Sequence, residues 1–230
     1  MAHDSAVPPP QRGGAVDFAP FREGRRRRRR AAPLAAPPDG PRVSAPERIS
    51  IVDRGASVRE RVAIFIDGSN LYNGMRENLR STRVNLAELM RQLGKERALV
   101  RCYYFNAPLT DDYDEDLRDG QQRFFESLRR IPYVTVRLGR LHRRPDGALV
   151  EKGIDVAIAV EALSLAHKDA YDACLLVSGD GDYVELVEAI KRLGKHVEVA
   201  MFKNQSAGVL MEHADVFRPL DECDWTKILF

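Results

Sequence analysis

The run ACLLVS at residues 173–178 places apolar side chains at successive positions, so a strand there turns apolar groups to both faces of its sheet. Such a strand is stable only when both faces are covered, the situation of a parallel sheet held between helices. The surrounding sequence supplies both partners. RVAIFI (61–66), ALVRCYYF (98–105), YVTVRLG (133–139) and HVEVAMF (196–202) read as further strands, with VFRPL as an edge strand. Residues 69–79, 85–94, 121–131, 155–167, 182–194 and a short stretch near 206–213 read as helices. Leu86, Leu89, Met90 and Leu93 recur at helical spacing, and Phe124, Phe125 and Leu128 can face a sheet while neighbouring arginines stay wet. NAPLTDDYDEDLRDG (106–120) reads as an acidic connecting loop, and RLHRRPDGALVE as a basic turn or hairpin. The alternation predicts an α/β protein, a three-layer α/β/α sandwich about a central, mostly parallel sheet.

Charge divides the chain. Of the 36 basic residues, 29 are Arg and 7 are Lys. Residues 1–60 hold 12 Arg against 7 acidic residues, whereas 61–230 hold 24 basic residues against 27 acidic ones. A uniformly basic nucleic-acid-binding domain is therefore disfavoured. Nine of the 13 prolines also lie in 1–60, among few large apolar side chains, so residues 1–58 are expected to form a disordered Pro/Arg-rich tail. Arg25, Arg26, Arg27, Arg28, Arg29 and Arg30 are consecutive. They suit a flexible hook for RNA, DNA or another polyanion, and equally a solubilising tail. The folded domain is expected at 59–220, with 221–230 as a C-terminal extension.

No apolar run approaches the ~18 residues of a membrane span, and the N-terminus shows no secretory signal. Cys102, Cys174 and Cys223 lack CxxC or Cys/His spacing, which argues against a disulfide framework or zinc knuckle and for reduced thiols in the cytoplasm.

Acidic residues recur at strand ends and helix starts. Asp67 directly follows the strand at 61–66, and Asp180 lies two residues past the strand at 173–178. Asp155 and Asp182 stand at the starts of helices. In an open parallel sheet the loops after the strands' C-terminal ends converge on the binding crevice. Each carboxylate alone also fits a helix cap or a wet turn. Together they describe a cluster of like charges that calls for a cation. Mg²⁺ or Mn²⁺ takes hard oxygen ligands, which makes metal-assisted phosphodiester hydrolysis the reaction class. Asn70 can position water or phosphate, or cap the following helix; Ser69 and Ser178 carry the same two readings. Lys152 can neutralise phosphate charge or serve as a surface lysine. Arg137, Arg140, Arg143 and Arg144, with His142, form a basic patch able to guide a nucleic-acid backbone. Tyr72, Tyr103 and Tyr104 fit core packing better than base stacking.

IFIDGSNLYNGMR (64–76) and the stretch from KGIDV through SGDGD to VEVA (152–200) resemble the NYN domain family, especially its bacterial LabA-like (DUF88) branch in the PIN-like nuclease group. The combination of IDGSNLY, KGIDV and SGDGD, in this order, is specific where each piece alone is weak. The resemblance implies a PIN-like sandwich with an acidic metal site used in RNA cleavage. It implies catalytic roles for Asp67, Asn70, Asp155, Asp180 and Asp182, the four aspartates holding Mg²⁺ or Mn²⁺. The expected function is a divalent-metal-dependent ribonuclease acting on RNA, with single-stranded DNA and a homodimer as further partners. The alternative is a non-catalytic RNA-binding or protein-interaction module with a retained acidic metal pocket. A dinucleotide oxidoreductase is disfavoured because DGSN, not GxGxxG, follows the first strand. A receiver domain leaves SGDGD unexplained. Ser69 stands where a haloacid-dehalogenase-like phosphatase needs its second aspartate.

Overall fold

The computed structural model describes residues 59–145, 147, 149–205 and 208–230; the expected tail at 1–58, with its six arginines, lies outside the described residues. The chain opens with β1 (Arg61–Asp67), α1 (Gly68–Leu79), α2 (Leu86–Gly94), β2 (Ala98–Asn106), α3 (Glu115–Arg129) and β3 (Val134–Leu138). A two-stranded antiparallel hairpin follows, β4 (Arg140–Arg143) with β5 (Leu149–Lys152). Then come α4 (Ile154–His167), β6 (Ala173–Val177), α5 (Val184–Arg192), β7 (His196–Met201), α6 (Gly208–His213), β8 (Val216–Pro219) and α7 (Trp225–Ile228).

The main sheet has the order β3-β2-β1-β6-β7-β8, and every neighbouring pair is parallel. Parallel neighbours need long crossovers, and the helices supply them. Winding runs outward from β1 to β3, returns to β6 on the other side of β1, and continues outward to β8. The connections therefore diverge between β1 and β6, leaving a crevice at the C-terminal ends of these two strands.

Strand alternation assigns the two helical layers. Val62, Ile64 and Ile66 of β1 share a buried cluster with residues of α1, α2, α3 and α7. Ala63 and Phe65 pack instead with α4, α5 and α6. In β6, Leu175 and Val177 join the first cluster and Cys174 and Leu176 the second. The doubly apolar run is thus covered on both sides, and the expected three-layer sandwich is what forms.

Two local departures have physical reasons. Helix α3 begins at Glu115, inside the segment expected to be a loop. The Asp114 side chain accepts from Asp116 N at 3.0 Å, and Glu115 and Asp116 place negative charge in the first turn, so the acidic composition marks a helix start. Residues expected as a helix from 182 begin as a single 3₁₀ turn, Gly181–Tyr183, before α5. Beyond residue 220, Trp225 stacks on Phe202 with centroids 5.5 Å apart, and Ile228 is fully buried in the first cluster. Among the described residues no helix is long and apolar enough to cross a membrane.

One of the buried acids within the sheet is paired by the fold itself. Glu198 of β7 is 3% exposed and takes hydrogen bonds from Arg97 at 2.9 and 3.1 Å and from Arg218 at 2.9 Å. Burial opposes its ionisation, but the two guanidiniums prevail and hold its pKa below the ordinary 4.5. A carboxylate with a depressed pKa adds stability above its unfolded pKa and loses it as pH falls through the folded one. Glu198→Ala should therefore lower stability by about 3 kcal/mol at neutral pH, because it leaves two guanidiniums without their partner. Urea titrations should show the gap between wild type and variant closing as pH drops below 4.5. At the start of α1, a Cβ on buried Gly68 would lie 2.5 Å from Asn106 Nδ2 and 2.6 Å from Tyr104 Cζ. Gly68→Ala is expected to cost about 1–3 kcal/mol, read in the same titrations.

Candidate active site at the sheet switch point

Asp67 ends β1 and is 3% exposed. It is also the N-cap of α1: Oδ1 accepts from Asn70 N at 3.0 Å, and Oδ2 from Asn70 Nδ2 at 2.9 Å. The sequence DGSN forms this turn because the cap carboxylate satisfies a free helix N–H while Gly68 fits beneath Tyr104 and Asn106. Burial pushes the Asp67 pKa up; the Asn70 hydrogen bonds oppose this, and the nearby Asp155 charge adds to it.

Asp155 arrives from the other side of the crevice. Gly153, at φ 80°, makes the left-handed turn that ends the hairpin and starts α4, so Asp155 falls in the helix's first turn. Its residue stands at the exposed rim. Packing around the carboxylate raises its pKa, the Tyr183 hydroxyl works against that rise, and the charges of Asp180 and Asp182 add to it.

Tyr183 joins these two aspartates. Its ring is 2% exposed, and its hydroxyl lies 3.2 Å from Asp67 Oδ2 and 3.1 Å from Asp155 Oδ1. A phenol carries one hydrogen, so it donates to one carboxylate at a time. The second contact is favourable only with another proton or a cation in the site. Burial, followed by the two carboxylate charges, drives the Tyr183 pKa far up and keeps the phenol protonated.

The remaining residues take supporting positions. Asn70 Oδ1 accepts from Gly179 N at 3.4 Å, tying α1 to the turn after β6. Asp180 caps that turn: its Oδ1 accepts from Asp182 N at 3.0 Å, while its own N–H donates to buried Ser178 Oγ at 3.2 Å. Asp182 is exposed. Ser69 donates to Glu151 Oε1 at 2.6 Å, and the backbone N–H of Ala107 also serves that carboxylate. Burial raises the Glu151 pKa, as do the charges of Asp67 and Asp155. Lys152, next in sequence, is exposed.

The structure thus brings Asp67, Asn70 and Asp155 together and sets Asp180 and Asp182 within electrostatic reach. Among the described residues no group of three acidic, His or Cys side chains is placed to hold a metal ion. The oxygen donors of Asp67 and Asp155 and their mutual repulsion nonetheless suit a hard divalent cation. All four arginines of the basic patch are exposed; Arg137 donates to Glu161 at 3.0 Å and Arg143 pairs with Asp112. Sequence reasoning missed Tyr183 and Glu151. Tyr183 follows SGDGD directly and looks like an apolar helix position; Glu151 precedes KGID and is the inward residue of a strand that alternates.

The NYN domain family model matches residues 61–221. The chain is 26% identical over 168 residues to the Low amplitude and bright protein LabA of Synechococcus elongatus, covering 70% of this chain and 84% of that protein. A crystal structure of a protein of unknown function from Vibrio parahaemolyticus superposes with a TM-score of 0.59 at 30% identity, over 73% of this chain and 96% of that one. The crevice between β1 and β6, with IDGSNLY, KGIDV and SGDGD around it, is thus carried by a chain that belongs to the NYN domain family.

Proposed function

We propose that the chain is a divalent-metal-dependent ribonuclease that hydrolyses RNA phosphodiester bonds. One observation carries this reading: Asp67 and Asp155, from separate segments, meet through the Tyr183 hydroxyl at the sheet's switch point. The nuclease-like character of the NYN fold supports it. In this reading Asp67 and Asp155 hold Mg²⁺ or Mn²⁺, with Asp180 and Asp182 adding negative charge through water. The cation, when bound, supplies charge neutralisation at the phosphate and a more acidic water. Asn70 keeps the Asp67 carboxylate fixed in direction, and Tyr183 sets the separation of the two aspartates. Ser69 and Ser178 act through the turns they hold. Single-stranded DNA shares the phosphodiester and belongs to the same proposal. So does self-association through α4, whose Val156 and Val160 are 66% and 60% exposed. The three free cysteines fit a reducing cytoplasm.

A non-catalytic RNA-binding module is the second reading, favoured by the absence of a three-carboxylate grouping among the described residues. Cleavage of short RNAs in EDTA, Mg²⁺ and Mn²⁺ separates the two. Wild type should give products only with metal, and Asp67→Asn and Asp180→Asn should abolish them; products equal in all three proteins would sink the site assignment. Tyr183→Phe, which keeps the ring and removes the bridge, should slow cleavage by ~10–100-fold, the usual size for groups that orient ligands. Metal binding has its own readout. Mn²⁺ should raise the melting temperature of wild type and leave Asp67→Asn unmoved. Without added metal, Asp67→Asn should melt at or above wild type, because it removes a carboxylate whose ionisation burial disfavours.

A further inference from the structure

The hairpin beside the crevice separates its charges by face. Its register pairs Arg140 with Lys152, Leu141 with Glu151, His142 with Val150 and Arg143 with Leu149. Side chains alternate along each strand, so Leu141, Arg143, Leu149 and Glu151 share one face, and Arg140, His142, Val150 and Lys152 the other. The first face makes the hairpin's polar contacts with the rest of the protein: Glu151 accepts from Ser69, and Arg143, itself exposed, pairs with Asp112. Arg140, His142 and Lys152 are exposed and make no side-chain ion pair with any described residue.

That arrangement is unfavourable in the isolated chain. Two cations directly opposite each other on an antiparallel ladder repel, and among the described residues no acidic side chain pairs with either of them. The sequence contains acids that solve the same problem elsewhere, since Arg137 has Glu161 and Arg143 has Asp112. An anion from outside can supply the counter-charge. The position of the pair limits what the anion is: Lys152 is joined to Asp155 through only Gly153 and Ile154. A polyanion lying on this face therefore continues into the carboxylate crevice. Asp67 is 3% exposed at its floor, so the strand that reaches it must bend inward, which a single strand does and a stiff duplex does not.

We propose that the outward face of the hairpin, with Arg140, His142 and Lys152, is the track on which the phosphates of single-stranded RNA run into the site, an inference that rests on the phosphodiesterase reading above. The Glu151–Ser69 hydrogen bond holds this track against α1, beside Asp67. Arg137 and Arg143, with partners of their own, belong to the frame of the track.

Binding of a short fluorescent oligo-uridylate, followed by anisotropy in EDTA, tests the track separately from cleavage. The double variant Arg140→Ala/Lys152→Ala should weaken binding at least ~10-fold and lower the slope of log K against log salt by about 1.4, the loss of two single-strand phosphate contacts. Arg137→Ala and Arg143→Ala should change affinity less than threefold. Lys152→Glu should weaken binding while melting above wild type, since it turns a repelling cross-strand pair into an attracting one. Unchanged affinity in the double variant, or a larger loss in Arg137→Ala and Arg143→Ala, would overturn the assignment. If metal-dependent cleavage is absent but the double variant still loses binding, only the hydrolytic reading fails. If cleavage is present and the double variant binds as wild type does, only the track fails.

Discussion

A carboxylate that folding nearly removes from water organises this protein. Asp67 sits at the end of an apolar strand, where its ionisation is opposed by burial and by the charge of Asp155. Most of the surrounding polar chemistry serves to keep it there. Asn70 spends its backbone and side-chain donors on Asp67, its Oδ1 on the Gly179 turn, and Tyr183 spans the gap to Asp155. Such a site is a local loss of stability carried by the two apolar layers on either side of the sheet. The contrast with Glu198 is instructive. Both are buried to the same 3%, yet two arginines meet Glu198 and, among the described residues, none meets Asp67. One acid is neutralised within the fold; the other is left wanting a positive charge.

Much of the architecture was legible because periodicity is a property of neighbouring residues. The doubly apolar ACLLVS run required a covered parallel sheet, and the intervening amphipathic segments had crossover length. The positions of Asp67 and Asp155 at the strand end and helix start were readable for the same reason. What was not legible depends on long-range geometry. Nothing local distinguishes Tyr183 from a core aromatic, and its role appears only when β1 and α4 deliver their aspartates to its hydroxyl. Glu151 is hidden likewise, because its partner Ser69 lies far away in the chain. Composition misled once, at 115–120, where acidity that suggested a loop instead supplies a helix N-terminus.

The basic residues show how little charge counting says about use. Four arginines near the hairpin looked equivalent in sequence. In the folded chain Arg137 and Arg143 are bound to carboxylates, and Arg140 faces a lysine. Identity of side chain is the same throughout; what differs is whether the fold has already answered the charge. The Arg140–Lys152 pair is the more informative one, because no described carboxylate answers its repulsion.

The hairpin itself forms a separate two-stranded sheet and adds no strand to the six-stranded one. It interrupts the single crossover that reverses the winding direction, between β3 and α4. Its length and surface can therefore drift among relatives without reregistering any strand of the core, while the carboxylates it borders stay fixed to β1 and α4. Hairpin and carboxylates thus lie on different parts of the chain, joined at Gly153 and by the Ser69–Glu151 hydrogen bond.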